Sequence, residues 1–207
     1  MLGSFTACKK DKAAPKPVEE PFDITKYVIV EKGIGFKTYD PIILTFEPQG
    51  KTSILTILGG GVANHTYTYN NGVLKIFYEG ELMKEFKIEN KTLTSSRVRP
   101  NYSCQLIKIP TSVSNVFNGN TYSGGWKTEG STLTSVASLK FTDTHYSEAS
   151  INLPVPNKEY TLIKNLAAQS YIDGVGSIWL LTDGKLEGAR FNPGTLKEST
   201  GTFTKSN

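Results

Sequence analysis

Apolar and polar positions alternate with a period of two along most of the chain. In His65-Thr66-Tyr67-Thr68-Tyr69, rings alternate with threonines. Leu133, Ser135, Ala137, Leu139 and Phe141 share one parity, and Thr134, Ser138, Lys140 and Thr142 the other. This is the pattern of a strand with one buried face. Asn70-Asn71-Gly72 separates the tyrosine strand from Val73-Leu74-Lys75-Ile76-Phe77-Tyr78, and Asp183-Gly184 separates Ile178-Trp179-Leu180-Leu181 from Lys185-Leu186. Both read as tight hairpin turns, because Asn, Asp and Gly accept the positive φ such turns require. Glu79-Gly80-Glu81 and Glu89-Asn90-Lys91 read as two more. No window carries helical periodicity. From about Phe22 onward the expected class is all-β, a mostly antiparallel meander.

The meander divides in two. Asn90 to Val98 lies over Asp183 to Phe191, Tyr67-Thr68 over Tyr160-Thr161 at the same offset, and Leu44-Thr45-Phe46 over Leu139-Lys140-Phe141 at nearly the same one. The order and spacing fit an internal duplication; the alternative is that two all-β halves look alike. The Pro-led, polar stretch after Pro110 is the natural boundary. The expected organisation is a signal remnant and disordered tether over 1–21, a first β domain over 22–110, a linker over 111–118 and a second β domain over 119–207. Each half has room for about eight short strands, the size of a small closed barrel or a compact sandwich.

Composition narrows the function classes. Apolar residues make up 38% of the 207, enough for a core. The net charge of +4 comes from 23 basic and 19 acidic residues spread along the chain, which argues against a nucleic-acid partner. With 2 Cys and 2 His, cysteine–histidine zinc sites and haem attachment are close to excluded, and no cofactor is expected. Asp143 and His145 sit two apart on one strand face, yet no nucleophile motif accompanies them. Asp143, His145 and Glu148 match no metal-ligand spacing. Gly59-Gly60-Gly61 lacks the Lys-Ser/Thr ending of a phosphate loop and reads as a loop. The chain is therefore read as not an enzyme.

Ser4-Phe5-Thr6-Ala7-Cys8 resembles the end of a bacterial lipoprotein signal peptide, in which small residues precede an invariant Cys that becomes lipidated. Residues 9–21 hold only Lys, Asp, Ala, Pro, Glu and Val, which suits an extended tether. The stretch is similar to those of Bacteroidetes-type envelope lipoproteins. That resemblance implies lipid attachment at Cys8, anchorage to the outer membrane and, because Lys9, Lys10 and Lys12 surround a lone Asp11, a periplasm-facing position. With Cys8 lipidated, Cys104 is expected to be a buried thiol packing like a small hydrophobe. A Cys8–Cys104 disulfide is the alternative without lipid.

Gly124-Gly125-Trp126 resembles the first strand of lipocalin-like proteins, which often carry Gly-x-Trp. In that family an Arg from a late strand stacks over the Trp and closes the barrel floor. Arg190, which shares parity with Leu186, is the candidate here, unless a bulge at Gly188 reverses its direction. Arg97 matches it in the first half, where no equivalent Trp occurs. Large (Tyr122, Trp126, Tyr160, Leu180) and small (Ser135, Ala137, Gly188) residues share the inward parity. The candidate ligand or barrel-floor residues are Trp126, Arg190, Tyr122 and Tyr160. Two functions stay open: a non-catalytic protein holding a small apolar ligand in a lipocalin-like barrel, or a structural module of an envelope complex, with packed barrels, a protein partner and no ligand.

Overall fold

The computed structural model describes residues 21–33, 41–60, 64–97 and 102–206. Cys8 and the tether through residue 20 lie outside the described residues, as does the Arg97 side chain. The described chain is all-β apart from two 3-10 turns. No helix among the described residues is long and apolar enough to cross a membrane.

The first sheet holds β1 (Tyr27–Gly33), β2 (Ile42–Glu47), β3 (Lys51–Thr56), the two-residue β4 (Gly59–Gly60), β5 (His65–Asn70), β6 (Val73–Tyr78), β7 (Glu81–Glu89), β8 (Thr92–Arg97) and β9 (Tyr102–Lys108). The second holds β10 (Thr121–Thr128), β11 (Thr134–Phe141), β12 (His145–Ala149), β13 (Lys158–Glu159), β14 (Thr161–Ile163), β15 (Ala167–Ile172), β16 (Val175–Thr182), β17 (Lys185–Asn192) and β18 (Lys197–Ser206). Gly59-Gly60, expected in a loop, instead pairs with the end of β3.

Each sheet curls into a nearly closed antiparallel barrel, because its first strand pairs with its last: β1 with β9, and β10 with β18. This near-closure covers most of the edges of an open meander, leaving in the first barrel a seam between β8 and β9. In the second barrel the ring is interrupted only at Tyr160, where one chain segment turns from β12 (as β13) to β15 (as β14). The Ser170 hydroxyl bridges this break by donating to the Glu159 carbonyl at 2.7 Å. With β13 and β14 taken as one bent strand and β4 set aside, the three sequence matches fall at equal ranks: β2 over β11, β5 over the bent strand, and the β7–β8 hairpin over β16–β17.

The turns follow from the residues in them. Asn71 and Gly72 have φ of 49° and 77°, and Asp183 and Gly184 have 50° and 75°. Two consecutive positive φ values are what a two-residue hairpin twisted like its strands needs, and Gly meets the second without a Cβ clash.

Three buried clusters result. Ile29, Leu44, Phe46, Leu74, Ile76 and Phe86 fill the first barrel. Phe117, Tyr122, Leu139, Phe141, Trp179 and Phe203 fill the second. The third lies between the barrels, where Val28, Val30, Ile43 and Ile57 meet Ile163, Leu166, Ile178 and Leu180. Strands β1 and β16 are thus covered on both faces. Leu180, counted inward on parity, faces the other barrel: its neighbour Trp179 takes the interior, and both faces of the strand are apolar. Gly176 marks the closest approach, since a Cβ there would stand 2.2 Å from the Ile57 carbonyl oxygen. Ion pairs Lys32–Glu187 and Lys164–Glu47 flank the interface.

The stretch 111–118 does more than link. Phe117 is fully buried in the second core. Asn115 Nδ2 donates to the Asp143 carbonyl at 2.9 Å and to Tyr160 Oη at 2.6 Å, and the Val116 N–H donates to Asn165 Oδ1 at 2.9 Å. These bonds close one end of the second barrel. The opposite end, where the hairpin after β10, the loop after β12 and the turn after β17 lie, is open.

Candidate functional site

The register of β17 runs unbroken through Gly188, which sits opposite Trp179 on β16 and Gly201 on β18. With no bulge, Leu186, Gly188 and Arg190 all point into the barrel. Trp126 on β10 fits beneath because two of its neighbours lack side chains: a Cβ on Gly188 would lie 2.7 Å from the ring, and Gly201 is its partner on β18. The Trp126 ring packs edge-on to Phe203 at 5.1 Å.

Arg190 Cζ lies 4.1 Å from the centroid of the Trp126 ring. Strand parity brings the two together, and Glu148 on β12 joins them. The indole Nε1–H donates to Glu148 Oε1 at 2.8 Å, while Arg190 Nη2 donates to Oε2 of the same carboxylate. The ion pair is largely withdrawn from water, with side-chain exposures of 26% and 15%. One carboxylate thus fixes both the ring and the guanidinium. Arg190 Nε, also buried, has no hydrogen-bond partner among the described residues.

Above this triad opens a cavity of about 670 Å³ bounded by Trp126, Tyr146, Glu148, Lys158, Asp173, Arg190 and Lys197. Hydroxyls fill the gaps, among them those of Ser135 and Ser199. Lys158 Nζ stands 5.8 Å from the centroid of Tyr146. Neither Lys158 nor Lys197 has a carboxylate partner among the described residues, whereas Arg190 is matched by Glu148. Burial pushes the Tyr146 phenol pKa up, so the ring stays neutral at the base of a cup with surplus positive charge.

Tyr122 and Tyr160 do not reach this cavity. Both lie in the aromatic core beneath it, and Tyr160 Oη donates to the Thr142 carbonyl at 2.7 Å at the closed end. Asp143, His145 and Glu148 do not converge. His145 Nδ1 meets Thr144 Oγ1 at 2.8 Å and its Nε2 lies 3.8 Å from Glu159, while Glu148 belongs to the Arg190 triad. Among the described residues no group of three or more His, Cys, Asp or Glu could hold a metal ion. Sequence reasoning missed Glu148 as the link between ring and guanidinium, although its parity with Tyr146 on β12 carried the signal. It missed Lys158 and Lys197, which pair across from Tyr146 and Asn192, because neither stands in an apolar–polar alternation that marks an inward face.

The first barrel has a different interior. Glu31 on β1 points inward with Ile29 and is fully buried. Lys84 Nζ on β7 donates to its Oε2 at 2.5 Å, and Oε1 has no hydrogen-bond partner among the described residues. Cys104 is half-buried against the same core.

No protein-family model matches this chain, and no curated protein does. Among solved structures, the crystal structure of isotype 1 transferrin binding protein B from serogroup B Neisseria meningitidis is similar at 14% identity and a TM-score of 0.31, over 95% of this chain and 46% of that one. This chain thus spans less than half the length of that protein.

Proposed function

We propose that the chain is a non-catalytic binding protein of the cell envelope, anchored by lipid on Cys8, that holds a small polar ligand in the open mouth of its second barrel. One observation carries the reading: a cavity of about 670 Å³ over a floor of Trp126, Glu148 and Arg190. That volume falls in the range of ligand sites. Its chemistry favours a polar ligand over the apolar one expected from the sequence. An apolar guest would strip water from Lys158, Lys197, Arg190 and several hydroxyls and return no hydrogen bonds, which is costly. A polar, net-anionic guest would satisfy them.

Several features support the wider reading. The small residues before Cys8 and the Pro- and Lys-rich segment after it favour an anchor, and Lys9, Lys10 and Lys12 favour the periplasmic face. The equal ranks of the three sequence matches favour a tandem duplication, with domains over 22–110 and 119–207.

Native mass spectrometry of the chain purified from its host's membrane fraction tests both parts. The expected result is an acyl mass on Cys8 and a non-covalent adduct that Arg190→Ala loses. An unmodified Cys8 in the soluble cytosol would overturn the anchor, and a chain free of adduct would overturn the ligand.

A further inference from the structure

Three of the four connections at the open end of the second barrel carry exposed aliphatic side chains, and the fourth, between β15 and β16, carries Asp173-Gly174. Leu133 ends the hairpin after β10, Val136 opens β11, Ile151 and Val155 sit in the loop after β12, and Leu196 sits in the turn after β17. All five are exposed, by 68–84%. The same connections supply the lip of the cavity, through Thr128, Ser150 and Thr195. Turn tips that face only water are ordinarily polar, and a cluster of exposed aliphatics marks a surface made to be covered. Between them stand the charges of the cup: Lys158 and Lys197, neither with a carboxylate partner among the described residues, and Arg190, three cations against the two carboxylates of Glu148 and Asp173.

We propose that this mouth docks on a bilayer and takes the phosphate-bearing headgroup of an anionic phospholipid. The proposal rests on reading the mouth as the binding site and names its occupant. Aliphatic tips around a cationic centre match a leaflet in cross-section: the tips enter the boundary between headgroups and acyl chains, while the cup receives one negative headgroup drawn up between them. A polypeptide fits this end less well. The barrel closes through β10 pairing with β18, and the break in its ring leaves only three residues of β12 and three of β15 unpaired on one side, a short edge for an added strand. The apolar positions lie on three separate connections rather than along one groove. The cup, at about 670 Å³, is also wider than one inserted side chain needs.

The test uses the full chain with Cys8→Ser, so that no acyl anchor contributes. Flotation is measured with phosphatidylcholine vesicles and with vesicles in which one lipid in five is phosphatidylglycerol. Binding to the second is expected to be roughly ten- to a hundredfold stronger and to weaken with salt. Lys158→Ala with Lys197→Ala should remove that preference. Leu133→Ser with Ile151→Ser and Leu196→Ser should abolish flotation. Leu133, Ile151, Leu196 and Lys197 are exposed and Lys158 is half-buried with its amine at the cavity, so both variants should keep a thermal midpoint close to the parent's. Equal flotation on the two vesicle types, or flotation indifferent to both variants, overturns the proposal. Glycerol 3-phosphate that changes tryptophan fluorescence in the parent, without any flotation, also overturns it and leaves the small-ligand reading standing. If neither the phosphate nor the vesicles bind, both readings fail. If vesicles do not bind but the rim variant loses a cross-link to a single envelope protein, the covering surface is a protein and the lipid proposal is wrong.

Discussion

Gly188 and Trp126 occupy one another's space: a Cβ on Gly188 would stand 2.7 Å from Trp126 Cη2 and 3.1 Å from Trp179 Cδ1. Two rigid rings press on one backbone position, and neither is a flexible chain end that can step aside. Gly188→Ala should therefore cost about 1–3 kcal/mol of stability through overpacking, read from the midpoint of urea unfolding. It should also push Trp126 away from Arg190, giving a changed near-ultraviolet dichroism of the indole. A variant with the parent's midpoint and spectrum would mean that the rings relax freely.

The Trp126–Arg190 contact should be measurable by itself. In a double-mutant cycle with Trp126→Leu and Arg190→Met, a coupling of about 0.5–2 kcal/mol is expected from the attraction of a partly desolvated guanidinium to a ring face. Glu148→Gln keeps the acceptor for the indole N–H but removes the charge that orients Arg190, so the coupling should shrink in that background. Equal coupling in both backgrounds would show that Glu148 does not position the guanidinium.

In the first barrel, Glu31 and Lys84 form a pair inside an apolar cluster, with side-chain exposures of 0% and 14%. Lys84→Met leaves a carboxylate with no cation, and breaking such a pair costs about 3–5 kcal/mol. The double variant Glu31→Leu, Lys84→Met removes both charges and should recover most of that loss. A single variant as stable as the parent would mean that the carboxylate finds water on losing its partner. The comparison is read from urea midpoints at neutral pH.

The strand class, the hairpins and the direction of Arg190 were legible because each is a local matter of alternation and turn residues. The packing of barrel on barrel was not. Val28 and Val30 alternate with Tyr27 and Ile29, and Ile178 and Leu180 flank Trp179, so both faces of β1 and β16 are apolar and period-two reasoning cannot say which face turns inward. Leu180 was misplaced for that reason. The cup was half legible. The direction of Arg190 came from parity and its pairing with Trp126 from the lipocalin-like resemblance, but Lys158 and Lys197, across from Tyr146 and Asn192, carry no alternation that marks them as facing a cavity.

The seam between the barrels can be tested at Gly176. Its missing side chain admits the Ile57 carbonyl oxygen, which would lie 2.2 Å from a Cβ, and backbone cannot rotate away as a side chain can. Gly176→Val should force the faces apart and expose part of the shared cluster. Calorimetry is expected to turn one cooperative transition into two, because each barrel keeps its own interior while losing its neighbour. A single transition at the parent's temperature would show that the seam accommodates the added side chain.

Alkaline pH should loosen the second barrel from within. Burial is the main cause that raises the phenol pKa values of Tyr122, Tyr146 and Tyr160 above the ordinary value. The folded state therefore holds these protons more tightly than the unfolded state. Below about pH 10, the pKa of an unfolded tyrosine, both states are protonated and the full stability is present. As pH rises beyond that, the unfolded chain ionises first, and stability falls until the folded phenols ionise too. Urea midpoints should thus be level at mildly basic pH and drop beyond about pH 10. Lysines titrate in the same range, so the comparison that isolates the tyrosines is Tyr146→Phe, which removes one raised phenol and should fall less steeply than the parent. An identical fall in both proteins would mean that Tyr146 ionises alike folded and unfolded, and that the base of the cup is open to water.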